Sequence, residues 1–272
     1  MLSIAAQLCK LRLTHDAEGR VISVVTLSLF RFAGAASRLW VLGQMALAPR
    51  ALRQQAGLSF FKLCGSGTGE GFTPKPNWQV WAILAVWPDE PMARAGVSQG
   101  PVWKAWSNKA AECWTLFLSP SSVRGRWGGR VPFDAATQPD EPEATASTSA
   151  KPSHLPLAAL TRASVRPRHA LRFWKRVPDI STAIGLDQNV AFKIGIGEVP
   201  LLHQVTFSVW PDSAALSNFA HKDGPHARAV RAVRQGDWFS EELYARFRVL
   251  GSIGSWRDAS LPGLPQKERD VA

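Results

Sequence analysis

Val25, Leu27 and Leu29 alternate with Thr26 and Ser28, the period-two pattern of a half-buried strand. A helix carrying Arg38-Leu39-Trp40 is predicted next. Two strands follow, the second reading "VWAILAVW", joined by a glycine-rich connection. A helix then opens at Gly100-Pro101, where proline's missing N–H costs nothing at the first helical position. A strand through "ECWTLFL" ends the series.

The same series is written a second time. "ILAVWPD" (83–89) is answered by "TFSVWPD" (206–212), and "FFKLCGSGTGEGF" by "AFKIGIGEVP" (191–200). Gly100-Pro101 is answered by Gly224-Pro225, Arg38-Leu39-Trp40 by Arg172-Phe173-Trp174, and Trp127 by Trp256. Such self-similarity implies an internal duplication of βαββαβ, the ferredoxin-like unit. The expected fold is α+β: duplicated ferredoxin-like units, 24–133 and 157–256, closing into a pseudo-dimeric α/β barrel with a pocket between sheets and helices. Residues 1–23 read as an N-terminal extension and 257–272 as a flexible tail. Residues 134–156 are rich in Pro, Ala, Ser and Thr, so they cannot offset their own ordering entropy and read as a disordered linker.

The glycines of "CGSGTGEGF" (64–72) raise the question of a phosphate loop. No Gly-Lys-Ser/Thr follows, and Pro74 and Pro76 oppose the helix that a dinucleotide fingerprint needs. The stretch is expected to be the connection between the second and third strands, where glycine permits a tight bend or a bulge.

Composition narrows the class. The longest apolar stretch, Val21 to Phe30, falls short of the roughly 20 residues of a spanning helix, and no convincing signal peptide leads the chain. Three cysteines without a CxxC pair suggest a reducing cytoplasm. The net charge of +11 fits nucleic acid, an anionic membrane or an acidic protein. The basic residues are dispersed and form no nucleic-acid-binding module, which argues against nucleic acid. Twelve Trp against one Tyr favour a roomy apolar interior or cavity wall.

His203 shares strand spacing with Val205, Phe207 and Val209, whereas His226 shares helical spacing with Ala229, Val230 and Val233. By the repeat, their places in the first half are held by Val80 and Val102. Either imidazole is a core histidine or, if both face one apolar space, a haem ligand. Cys64 is the other candidate ligand, with Gly195 as its counterpart, and His15, His154 and His169 are expected to be solvated. No two-His-one-carboxylate set at helical spacing is present, a Ser or Cys hydrolase is not expected, and no acid is expected beside either apolar-face histidine. Lys193, in the repeated Phe-Lys pair, and Trp210, at a strand end, are further cofactor-binding candidates, Trp210 having core packing as its plainer reading.

"VTLSLFRF", "ASRLW", "FKLCGSGTGEGFTPKPN", "WAILAVWPDE", "FKIGIGEVP", "HQVTFSVWPD" and "EELYARFRVLG" together resemble the spheroidene monooxygenase family of carotenoid biosynthesis, over about residues 24 to 256. The resemblance implies a haem (iron) protein that takes electrons from reduced ferredoxin, activates O₂ and introduces a keto group into an acyclic carotenoid. It implies no particular ligand, so iron binding by His226 and a catalytic role for His203 rest on the pattern, which leaves the two roles interchangeable. A cytoplasmic protein in peripheral contact with a membrane is expected. The alternative is a non-catalytic α/β barrel that binds haem or a lipophile, since a fold does not fix a function.

Overall fold

A computed structural model of the chain describes residues 23–69, 71, 73–135, 156–175, 190–221, 236–257, 259 and 261. The first 22 residues, most of the linker and tail, His15, His154 and the segment with Gly224-Pro225 and His226 lie outside the described residues.

The first half runs β1 (Val24–Arg31), α1 (Ala35–Arg53), β2 (Phe60–Gly67), β3 (Pro76–Trp87), α2 (Glu90–Gln99), α3 (Pro101–Lys109) and β4 (Glu112–Gly125). The second half runs β5 (Leu157–Val165), a 3₁₀ turn leading into helical residues 170–175, β6 (Phe192–Gly197), β7 (His203–Trp210), α4 (Ser213–His221) and β8 (Phe239–Gly254). The eight strands close into one antiparallel barrel in the order β1-β3-β2-β6-β7-β5-β8-β4. Read by halves, β4-β1-β3-β2 and β8-β5-β7-β6 have the same order, that of the ferredoxin-like sheet. A long ladder from Trp114↔Gly254 to Gly125↔Leu243 joins them on one side. On the other side, Gly65↔Gly197 and Ser66↔Ile196 make a short seam.

Alternation sorts the strand side chains onto two faces. Inside the barrel, Leu27, Leu84, Leu116, Leu160, Phe207 and Phe247 belong to one continuous core. The rings of Trp114 and Phe192 meet edge to face at 4.9 Å, and those of Phe133 and Phe247 at 5.3 Å, so aromatic side chains fill the interior. Outside, the helices of the first half cover a second core of Phe30, Ile83, Trp87, Trp103, Trp106 and Phe117.

Three expectations change. β1 is buried on both faces, because Thr26 and Ser28 turn toward the helices and accept hydrogen bonds from the indole N–H groups of Trp87 and Trp103, both at 3.0 Å. The crossover from β3 to β4 holds two helices where one was predicted. The sign was in the repeated Val-Trp-Pro-Asp: Asp89 Oδ1 accepts from the Met92 N–H and Asp212 Oδ1 from the Ala215 N–H, so each aspartate caps a helix that precedes the Gly-Pro. The glycine stretch is only in part a connection. β2 continues to Gly67 with a bulge between Gly65 and Ser66, and the connection is 68–75.

Candidate functional site

The ladders set the equivalence of the halves independently of sequence matching. Val24 pairs with Trp87 and Leu157 with Trp210, which matches the two Val-Trp-Pro-Asp strand ends. On this register Phe60 corresponds to Phe192, and the two Phe-Lys pairs are out of step by one residue. A one-residue slip reverses the face. Lys62 therefore points into the barrel while Lys193 points out, and the counterpart of Cys64 is Ile196 rather than Gly195.

The outer face of the second half differs in kind from that of the first. Where the first half presents Phe30, Phe61, Leu63, Trp81 and Ile83 to its helices, the second has Ala163, Lys193, Gly195, Gln204 and Thr206. Large apolar groups are replaced by small or polar ones, which leaves a shallow platform between the sheet and whatever covers it. Trp210 closes one edge, buried, with its indole N–H donating to Ser208 Oγ at 2.9 Å. Small and polar side chains on a sheet face would accommodate a flat group such as haem, and Lys193 and Trp210 both belong to this face. Neither His203 nor Cys64 faces it. Val80, the partner of His203, lines the barrel interior, whereas Val102, the partner of His226, packs in the helix layer.

His203 sits instead at the inner end of the barrel, in a cluster of charges. Glu198 Oε1 lies 2.5 Å from Lys62 Nζ, and Glu198 Oε2 accepts from the Trp127 indole N–H at 2.6 Å. Arg162, almost wholly buried, forms an ion pair with Glu241 and lies 3.8 Å from Glu198. Glu241 also accepts from the N–H groups of Gly128 and Gly129 at 2.8 and 2.7 Å. Both glycines have positive φ, which lets the 127–130 turn fold over the barrel end. His203 Nδ1 is 3.9 Å from Glu198 Oε2, so an acid does lie near this histidine, brought round by the β6–β7 turn.

Burial, then the Arg162 charge, holds the His203 imidazolium below its ordinary range. Burial pushes the Glu241 carboxyl up, but the two glycine N–H groups and Arg162 outweigh it and the net shift is downward. The Cys64 thiol is wholly buried, and burial followed by the Glu198 charge drives its pKa far upward. The thiol lies on the inner face of β2, away from the outer face of the second half. Among the described residues no group of three His, Cys, Asp or Glu could hold a bare metal ion. His169 is half-buried rather than solvated, its ring stacked 6.1 Å from that of Trp238.

A cavity of about 250 Å³ opens on the outer face at the β2–β6 seam. Gly65 and Gly197 line it together with Leu42 of α1, Trp78, Trp81 and Trp174. The sequence concealed both the cavity and the ion cluster. Their residues lie far apart in the chain, and Arg162 stands where the first half has Leu29.

No protein-family model matches the chain. It is 54% identical over 253 residues to a spheroidene monooxygenase of Rhodobacter capsulatus, covering 92% of this chain and 99% of that one. To a spheroidene monooxygenase of Cereibacter sphaeroides it is 50% identical, covering 86% of this chain and 69% of that one. To a spheroidene monooxygenase of Rubrivivax gelatinosus it is 32% identical, covering 86% and 85%. Among solved structures it superposes on an aldoxime dehydratase with a TM-score of 0.57 at 12% identity, over 86% of this chain and 83% of that one. A crystal structure of an aldoxime dehydratase with butyraldoxime gives the same score over 86% and 81%. At that identity the likeness is one of fold alone.

Proposed function

The chain belongs to the spheroidene monooxygenase family, and from that premise we propose that it is a haem-dependent monooxygenase using O₂ and reduced ferredoxin to introduce a keto group into an acyclic carotenoid such as spheroidene or spirilloxanthin. The observation that carries the haem site is the platform on the outer face of the second half, where Ala163, Gly195 and Thr206 replace Phe30, Leu63 and Ile83. On this reading the first half keeps a filled helix layer, while the second half gives over the face of Ala163, Gly195 and Thr206 to a cofactor.

Haem, when bound, supplies O₂ activation and the oxidation of a C–H bond. The protein supplies the rest. His226 is proposed as the iron ligand, because its repeat partner Val102 packs in the layer that covers the equivalent face of the first half. Lys193, on the platform, would pair with an anionic edge of the cofactor, and Trp210 would form an apolar wall. His203, on the inner side of the sheet, belongs to the ion cluster and is not assigned contact with the reacting atoms.

The reaction balances as two successive hydroxylations of one methylene. Each consumes one O₂, two electrons and two protons and releases one water, and the geminal diol then loses a third water to give the ketone. The ordered apolar wall has to exclude solvent from the activated carbon.

The test is the visible spectrum of the purified protein, reduced and with carbon monoxide, followed by turnover with reduced ferredoxin and spheroidene. A haem spectrum with formation of the ketone supports the reading. A protein that binds no haem, yet oxidises the carotenoid, overturns the cofactor assignment.

A further inference from the structure

Resting on the carotenoid reading above, we infer that the cavity at the β2–β6 seam receives one end of the substrate's extended polyene, with Trp78 as the contact at its mouth. A conjugated polyene is a flat, stiff, apolar rod without hydrogen-bonding groups. A site for it needs a smooth floor, aromatic walls and no unsatisfied polar atoms.

The seam cavity has such a floor and such walls, and most of its polar groups are engaged. At Gly65 an added Cβ would meet only the Trp81 ring, at 3.6 Å, so no side chain occupies that part of the floor. The indole N–H of Trp81 donates to the Trp78 carbonyl and that of Trp174 to the Leu201 carbonyl, both at 3.0 Å. The polar ends of these rings are thereby taken up by backbone. Of the polar groups lining the cavity, Glu198 is engaged with Lys62 and Trp127, Ser66 Oγ with the Gly195 carbonyl at 2.8 Å, Thr73 with Thr68, and Asn77 Oδ1 with the Gln79 N–H at 3.1 Å. The mouth is apolar and open to solvent, with Trp78 53%, Leu42 43% and Leu201 42% exposed.

Size and direction agree. The volume is below that of a usual small-molecule pocket, so it holds one end of a long polyene rather than its whole length. Lys193, Gly195 and Gly197 succeed one another along the outer face of β6, at about 7 Å per step. The cavity floor at Gly197 thus shares a face of β6 with the platform proposed for haem, and Gly71 packs against the Gly195 backbone.

The experiment uses the full-length, haem-loaded protein and spheroidene delivered in detergent micelles, with empty micelles as control. Binding is read as polyene co-eluting with the protein and as its induced circular dichroism, and haem content is read separately from the Soret band. The wild-type protein should bind. Trp78→Ala, which truncates an exposed side chain, should weaken binding about tenfold. Gly65→Leu, which fills the floor, should abolish it, and both should retain haem. If Gly65→Leu does not fold, Trp78→Ala decides alone. Wild-type binding with unchanged affinity in the variants overturns the cavity assignment. A haem-loaded wild type that binds no polyene overturns the carotenoid reading itself and this inference with it.

Discussion

The indole N–H of Trp127 donates to Glu198 Oε2 at 2.6 Å, joining the turn that follows β4 to the turn that follows β6. The other oxygen of the same carboxylate lies 2.5 Å from Lys62 Nζ of β2, so one side chain ties together both halves of the barrel end. Glu198→Gln keeps an acceptor for Trp127 but leaves Lys62 and Arg162 short of a counter-charge. It should cost about 2 kcal/mol of folding stability, between an ordinary hydrogen bond and a broken buried ion pair. Chemical denaturation measures this, and an unchanged midpoint would show that the charge does not hold the barrel end.

Acid should loosen the same region in two stages. His203 is depressed below its ordinary value, so the unfolded chain takes up protons first. Its contribution is complete above about pH 6.5 and is lost as pH falls through the lower folded value. Glu241 is also depressed, and its contribution is lost further down, as pH falls through its folded value. Melting temperature plotted against pH should therefore fall on acidification, with His203→Gln flattening the upper part and Glu241→Gln the lower part. A profile that the two substitutions leave unaltered would refute this assignment.

The platform proposed for haem can be refilled. Ala163→Phe restores the residue type that Phe30 supplies in the first half, so it should reduce the Soret absorbance per protein severalfold while leaving the fold intact. His226→Ala should remove haem retention, and His203→Ala should leave it, because His203 is directed into the barrel. Full haem content in both Ala163→Phe and His226→Ala would move the cofactor elsewhere.

The segment after the first half has a sharp inner limit. Phe133 is buried against Phe247 at 5.3 Å, and the Asp134 N–H donates to Ser23 Oγ at 3.2 Å. Phe133→Ala should cost about 3–5 kcal/mol. Replacing 136–154 with a Gly/Ser chain of equal length should change thermal stability little, given its composition. A large loss on that replacement would show that the segment contributes contacts of its own.

If the +11 charge serves docking to an acidic ferredoxin, ferredoxin-supported turnover should fall as ionic strength rises, because exposed charges are screened beyond about 10 Å at 0.1 M salt. Turnover supported by a small uncharged reductant should not show that dependence. Equal salt dependence with both donors would remove ferredoxin docking as the role of the charge.

Local pattern alone was enough for the strands and for the α+β barrel class, because alternation and punctuation by Gly, Pro and Asp are carried within a few residues of each other. It also put His203 on the face of Val205, Phe207 and Val209, and the barrel keeps it there. Matching by residue identity failed where a one-letter slip reverses a face: Phe61-Lys62 and Phe192-Lys193 look equivalent, yet the lysines lie on opposite sides of the wall. Ladder register decides that, and register is a property of paired strands rather than of either one. The closing of the barrel likewise decided what no segment contains: Lys62, Arg162, Glu198 and Glu241 converge on one end, and Gly65 meets Gly197 to floor a cavity. Their attraction and their shared space exist only once strands distant in the chain lie side by side.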